Sequence, residues 1–356
     1  MPTRNNVDVT AHPSFDGHER VDVRVDSRTG LRSIIAVHDT TLGPALGGCR
    51  MWAYPGEAEA LDDVLRLSRG MTYKNALAGL PLGGGKAVIM GDPRTGKSDA
   101  LFEAFGDFVE SFGGAYITAE DVGISDADME IVARRTGHVR GIRATGLGDP
   151  SPFTAWGVFC SMRTAVAFAL GNTSLAGLTV AIQGLGHVGG RVAALAHADG
   201  ARLVVADIDS ARVAEIAERY QATVVPVDRI HAVAADVFAP CALGGGLNEA
   251  TVPEVRAGIV CGAANNQLRT PGDGVALMSR GILYAPDYLV NAGGVISIAP
   301  ERPGMSAEEM KSRIARLGDT LSLVLSRSKA EGLPPEVVAD RLALERIAAG
   351  RRRRSA

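Results

Sequence analysis

The sequence predicts an α/β protein of two domains, the second built on a parallel, doubly wound sheet. Three observations lead there. The chain has 356 residues, enough for about two domain cores. From Phe153 onward, short apolar runs alternate with helical segments, the βαβ pattern of a parallel sheet. Finally, the turn GLGHVG, residues 184–189, stands directly between one such strand and the helix that follows it.

Composition narrows the class. A hydrophobic share of 46% beside a charged share of 22% suits a globular chain with a real core. The net charge of −3 gives no reason to expect nucleic acid or an anionic membrane as partner. Cys49, Cys160, Cys241 and Cys261 are far apart and form no CxxC pair, which fits a reduced, cytoplasmic protein without a metal cluster. The N-terminus has no apolar stretch of signal-peptide length, and no segment is expected to span a membrane. The basic run Arg351–Arg354 reads as a frayed, solvated tail.

In chain order, residues 1–14 look flexible. Residues 19–37 read as two strands around a turn at 27–30, with Val21, Val23 and Val25 alternating. The stretch TTLGPALGGCRMW follows as a glycine-rich loop whose Leu46 can line a pocket. Residues 57–78 form a long amphipathic helix through Ala60, Val64, Leu67, Met71 and Leu77. The run AVIM after Gly83–Gly85 is a buried strand, 98–112 a helix, AYITAEDVG a short strand ending in Glu120 and Asp121, and 125–135 a further helix. Residues 141–152, small and turn-forming, suggest a hinge. Beyond them come helix 153–169, strand 178–183, helix 191–198, strand 203–206 and helix 210–220. Strands follow at 237–240, 259–261 and 282–284, then helices at 306–330 and 334–348.

Two lysines organise the first half. Lys74 lies near the end of the 57–78 helix, and Lys86 follows three glycines, Gly83, Gly84 and Gly85, that can present it inward. A partly desolvated lysine near a second cation is pushed towards use as a base, whereas two solvated lysines beside a turn would be the bland alternative. The surroundings, GLPLGGGKAVI, hold no other charge, which favours the former. Asp121 can shuttle protons or cap the helix after it, and its position alone does not choose.

The turn Gly184–Gly189 meets the conditions of a dinucleotide fingerprint: strand before, helix after, and Asp207 at the end of the next strand, 18 residues past Gly189. A carboxylate there repels a 2′-phosphate, so NAD is expected over NADP. A rival lies at residues 91–98, GDPRTGKS, which matches GxxxxGK[ST] and sits between strand and helix. Pro93 removes a backbone N–H from that loop and Asp92 places a negative charge where phosphates would go, so the match reads as a surface turn.

With these residues assembled, the chain resembles the leucine/valine/phenylalanine dehydrogenases, relatives of glutamate dehydrogenase, from about Gly17 to Ala348. The resemblance rests on LGPALGG, LSRGMTYKNALAGLPLGGGKAVIMGDP, YITAEDVG, GLGHVGG, APCALGG, GAANNQL and GILYAPDYLVNAGGV. The motifs are nearest those of the leucine and valine enzymes. The resemblance implies an α/β substrate domain with a mixed sheet over 1–146, a Rossmann-type NAD-binding domain over 147–326, and a C-terminal helical segment, 327–356, returning to the first. It implies a homo-oligomer that closes over its substrate at the 141–152 hinge, with the return crossing near Ser326. Lys74 would hold the substrate carboxylate, Lys86 would activate water, and Asp121 would exchange protons with the amino group. Leu46, Gly47, Ala119, Val295 and Ile298 would surround the substrate. Gly184, Gly186, His187, Val188, Gly189 and Asp207 would hold the dinucleotide, joined by Thr154, Cys241, Ala242, Asn265 and Asn291. The reaction implied is NAD-dependent oxidative deamination of a branched-chain amino acid, with phenylalanine or another hydrophobic amino acid as alternative and no metal. Two departures stand out: Cys49 occupies a position usually held by threonine, and APERPGMSAEE after Ile298 lacks the usual acidic-aromatic stretch.

Overall fold

A computed structural model describes residues 3–6, 9–142, 149–299 and 305–354. The chain divides into two compact units. Unit 1 comprises 1–148, 298–303 and 343–356, and unit 2 comprises 149–297 and 304–342.

Unit 1 carries β1 (Thr3–Asn6), β2 (Arg20–Asp26), β3 (Leu31–Asp39), β4 (Ala45–Leu46) and β5 (Cys49–Trp52). Then come α1 (Glu57–Leu77), β6 (Gly83–Met90), α2 (Asp99–Glu110), β7 (Tyr116–Ile117) and α3 (Asp126–Ala133). The sheet is mixed, in the order β1-β2-β3-β6-β4-β7, with β5 also paired to β6. The pairs β1–β2, β2–β3 and β3–β6 are antiparallel, while β4 and β5 lie parallel to β6. One face packs under α2 and α3 through Phe102, Phe105, Phe108 and Val132, and the other under α1 through Ala60, Val64 and Leu65.

Two expectations change here. The segment from Thr40 to Trp52 is not all loop, because β4 and β5 pair inside the sheet. Glycine makes that possible: a side chain at Gly47 would overlap the Gly85 carbonyl, and one at Gly84 would overlap Thr72 of α1. Residues 3–6, expected to be flexible, form an edge strand along β2.

Unit 2 begins with α4 (Ser151–Leu170) and alternates strand and helix: β8 (Thr179–Gln183), α5 (Gly189–Ala198), β9 (Arg202–Ala206), α6 (Ser210–Tyr220), β10 (Thr223–Val224), β11 (Val237–Pro240) and β12 (Ile259–Val260). It continues with α7 (Pro271–Ser279), β13 (Leu283–Tyr284), α8 (Asp287–Val290), α9 (Gly293–Ile298), α10 (Ala307–Ala315), α11 (Leu317–Glu331) and α12 (Pro335–Arg354). Its sheet is wholly parallel, in the order β10-β9-β8-β11-β12-β13, so the strand order reverses beside β8, as in a doubly wound fold.

Several boundaries differ from the sequence reading. The single helix expected over 306–330 breaks at Arg316 into α10 and α11. The return to unit 1 falls inside α12, between Leu342 and Ala343, rather than near Ser326. Tyr288 donates to Asp340 on the early part of α12, while Arg346 donates to the Ala76 and Leu77 carbonyls that end α1. The basic tail is no frayed end: α12 runs to Arg354, and Arg351 pairs with Asp39 at 2.8 Å. Helix α4 is long and apolar enough to cross a membrane, contrary to expectation, but half of it is buried against neighbouring helices as a core element. Of the expected hinge at 141–152, residues 143–148 lie outside the described residues. So do residues 300–304 of the altered segment after Ile298.

Candidate active site

In unit 1 the site is built across three strands. Lys86 is the fourth residue of β6 and only 5% exposed, so its charge must be met inside the fold. Met there it is: Nζ lies 2.5 Å from Oδ2 of Asp121, which follows β7. Cys49 of β5 donates its N–H to the Ala119 carbonyl, and Met51 donates to Val122, so β5 holds the Asp121 segment alongside. Gly48 is required for the close approach, since a Cβ there would stand 2.6 Å from the Glu120 carbonyl and 2.9 Å from the Asp121 Cβ. Burial alone would raise the Asp121 pKa, but the Lys86 and Arg50 charges outweigh it and hold the carboxyl at about 2. The charged group in contact with Lys86 is thus a carboxylate.

Leu46 is fully buried on β4 and Ala119 nearly so, while Gly47 donates to Ile117 and accepts from the Tyr116 hydroxyl at 2.6 Å. Lys74 lies half-buried in the last turn of α1. Ile298 is half-buried and 3.6 Å from where a Cβ of Gly141 would stand. The capping alternative for Asp121 fails, because Ser125 caps α3 in a reciprocal box with Asp128.

In unit 2 the glycine turn connects β8 to α5, and no side chain caps the start of that helix. Gly184 has φ 91°, and a Cβ on it would press on Ala242 at 2.8 Å. One on Gly189 would overlap the Gly184 carbonyl and reach the Cys241 Cβ at 3.0 Å. The turn is therefore a tight cradle with Cys241 and Ala242 as its floor, and His187 and Val188 at its outer edge. Asp207 accepts from the Leu185 N–H at 2.5 Å and from Asp209 at 2.8 Å. Burial opposes its ionisation, but these N–H groups overcome that and lower its pKa. Asn291 donates to the Ala263 carbonyl and to Asn265 Oδ1 at 2.7 Å, while Thr154 packs on Gly294 and donates to Pro150. Val295 is buried in α9. These residues fit a dinucleotide: an uncapped helix start, a glycine cradle that a Cβ would fill, and a carboxylate at the adjoining strand end.

The GDPRTGKS rival does not survive. The N–H groups of Thr95 and Gly96 turn onto the Asp92 carbonyl, Lys97 pairs with Asp128 at 2.6 Å, and Ser98 caps α2. The Thr95 and Gly96 N–H groups that would cradle a phosphate are thus already taken.

Comparison with known proteins gives the family. Residues 18–138 match the dimerisation domain of Glu/Leu/Phe/Val dehydrogenases, and residues 205–353 match the Glutamate/Leucine/Phenylalanine/Valine dehydrogenase model. A leucine dehydrogenase of Geobacillus stearothermophilus is 48% identical over 340 residues, covering 95% of this chain and 93% of its own. The chain belongs to the glutamate/leucine/phenylalanine/valine dehydrogenase family. A valine dehydrogenase of Streptomyces albus is 47% identical, with 96% of each chain covered. The crystal structure of an L-tryptophan dehydrogenase from Nostoc punctiforme superposes with a TM-score of 0.83 at 41% identity, covering 94% of this chain and 97% of that one.

Within this family member, Arg50 is the residue that the sequence reading missed. Its Nε lies 3.4 Å from Asp121 Oδ2, and its Nη1 donates to Asp63 at 2.9 Å. The available signal was a lone cation in the apolar run ALGGCRMW; reading that run as loop concealed it. Cys49 is buried beside the same pair, and burial pushes its thiol well up, so it adds no charge.

Proposed function

We infer that this dehydrogenase catalyses the NAD-dependent, reversible oxidative deamination of a branched-chain L-amino acid to the 2-oxo acid and ammonium. The observation that carries the chemistry is the buried Lys86–Asp121 pair at 2.5 Å, between β6 and the segment that follows β7. The bound nicotinamide would supply the acceptor for the hydride leaving the α-carbon. In this reading Lys74 pairs with the substrate carboxylate and fixes that carbon, and the apolar Leu46 and Ala119 exclude water around the side chain. Asp121 takes a proton from the substrate ammonium, because only a neutral amine can release hydride. Lys86, once deprotonated, removes a proton from the water that attacks the iminium carbon. Activity should therefore rise into the alkaline range; a profile flat down to neutral pH would count against Lys86 as base.

NAD over NADP rests on Asp207, whose carboxylate would repel a 2′-phosphate, and Asn265, Asn291 and Thr154 would orient the ribose and nicotinamide. A homo-oligomer in the cytoplasm completes the reading. The deciding experiment is a spectrophotometric screen of NADH formation over the amino acids. Valine, leucine and isoleucine should lead, with phenylalanine and tryptophan poor and glutamate and lysine inactive, since an apolar pocket cannot compensate a buried charge. Best activity on tryptophan or phenylalanine would overturn the branched-chain assignment, and no NADH from any amino acid would overturn the chemistry.

A further inference from the structure

The Lys86–Asp121 pair does not stand alone. β5 lies between the strand that carries Lys86 and the segment that carries Asp121, and Arg50 projects from it. Asp63 of α1 accepts from Arg50 at 2.9 Å and from the Tyr54 hydroxyl at 2.6 Å on the same oxygen. Five groups therefore alternate in sign or polarity: Tyr54, Asp63, Arg50, Asp121, Lys86. Arg50 Nε and Asp121 Oδ2 are both fully shielded from solvent; Nε completes no hydrogen bond among the described residues, whereas Oδ2 already meets Lys86 Nζ at 2.5 Å. They face each other at 3.4 Å, slightly longer than a formed bond. A buried guanidinium N–H aimed at the carboxylate that Lys86 already engages, and left just short of it, calls for an explanation.

Resting on the function proposed above, we propose that Arg50 is a positioning residue of the deamination site: a permanent cation, braced by Asp63 and Tyr54, that keeps Asp121 aligned and ionised when Lys86 gives up its proton. The reasoning is a charge count. With Lys86 protonated, two cations meet two carboxylates in this buried chain, and with Lys86 neutral only Arg50 remains opposite Asp121. A guanidinium does not lose its proton at working pH, so it is suited to that duty where a second lysine would not be. The other groups facing the network leave the count unchanged. The Cys49 thiol and the Tyr116 hydroxyl stay neutral, both pushed well up by burial, the Tyr54 hydroxyl is pushed far up by burial and then by Asp63, and Asp128 is paired with Lys97. Lys74, on α1, is assigned to the substrate carboxylate. Removing Arg50 would leave net negative charge around Lys86, and its proton would then be held to higher pH.

The test is kcat and KM for a branched-chain amino acid with NAD, from about pH 7 to 11, on the full-length protein and three variants. R50Q should lose at least about tenfold in kcat, with KM for the amino acid changed less than about threefold. The alkaline limb of its kcat/KM profile should move up by about half a pH unit or more. R50K should bring that limb back towards the parent while kcat stays low, because an ammonium restores the charge but not the fork that spans Asp63 and Asp121. D63N, which removes a negative charge, should move the limb the opposite way. A purely structural Arg50 would produce neither the opposed shifts nor the partial rescue. A folded R50Q with parental kcat and profile overturns the proposal, as does an R50K limb indistinguishable from that of R50Q. Should R50Q fail to fold, an unmoved limb and unchanged kcat in D63N overturn it instead. A parent without NADH formation would sink the function itself; an active parent with an indifferent Arg50 sinks only this inference.

Discussion

One methyl group at position 48 would strike both the Glu120 carbonyl and the Asp121 side chain, so this glycine fixes how near the acid comes to β5. Gly48→Ala should cost about 1–3 kcal/mol in denaturant unfolding and lower kcat more than it raises KM, because the displaced group is the proposed proton carrier. The two lysines should separate in the opposite sense. Lys74→Ala should chiefly raise KM for the amino acid, costing at least about tenfold in kcat/KM through a lost charge-assisted bond, while Lys86→Ala should chiefly lower kcat. Near-parental constants in either would dismantle the two-lysine site. In unit 2, Asp207→Ser should reduce the ratio of NAD to NADP activity without altering the order of amino acids. An unchanged ratio would remove Asp207 from the ribose site.

At the scale of elements, the same residues that mimic a phosphate-binding loop serve the start of α2. Ser98 accepts from the Leu101 N–H and leaves its neighbour Lys97 to tie α2 to α3 through Asp128. Ser98→Ala should therefore lower stability by about 1 kcal/mol, read in urea, and leave kcat at the parental value. β6 is the instructive strand. Three consecutive glycines make it weak by itself, and it holds because β3, β4 and β5 bond to it and α1 lies across it. A strand of this kind is stabilised by neighbours rather than by its own side chains. That leaves Lys86 as the one cation in an otherwise apolar or bare run.

Across the whole chain, acid should act through a pair of buried histidines in unit 1. His18 and His38 stack edge to face at 4.8 Å; His18 Nε2 lies 3.0 Å from the Leu65 carbonyl, and Nδ1 accepts from the Asp16 N–H. Both ring nitrogens are thus used by the neutral form, and burial, aided by His38, lowers the His18 pKa to about 4. Since the folded value is depressed, the stabilisation is complete above the ordinary value of 6.5 and is lost as pH falls from there towards 4. Asp121 adds a second loss below its ordinary 3.8, as pH approaches 2. Urea unfolding should show stability falling by on the order of 2 kcal/mol between about pH 6.5 and 4, and His18→Phe should flatten that limb. A parental slope in His18→Phe would place the acid sensitivity elsewhere.

Local pattern carried much of this protein. Strand–turn–helix around Gly184–Gly189 needs only the order of an apolar run, a glycine turn and a periodic helix, so it was legible, and Asp207 came with it. The helix α1 likewise declared itself by its apolar period. What the sequence could not decide was decided by partners distant along the chain. β4 and β5 have two and four residues, too few to show a period, and exist because glycines at 47, 83, 84 and 85 let three backbones meet. For the same reason the sequence determined that Lys86 would be buried but not what it would meet there. The neighbour of a buried charge is chosen by tertiary contact, and here strand pairing set a carboxylate from 35 residues away against Lys86, with Arg50 behind it.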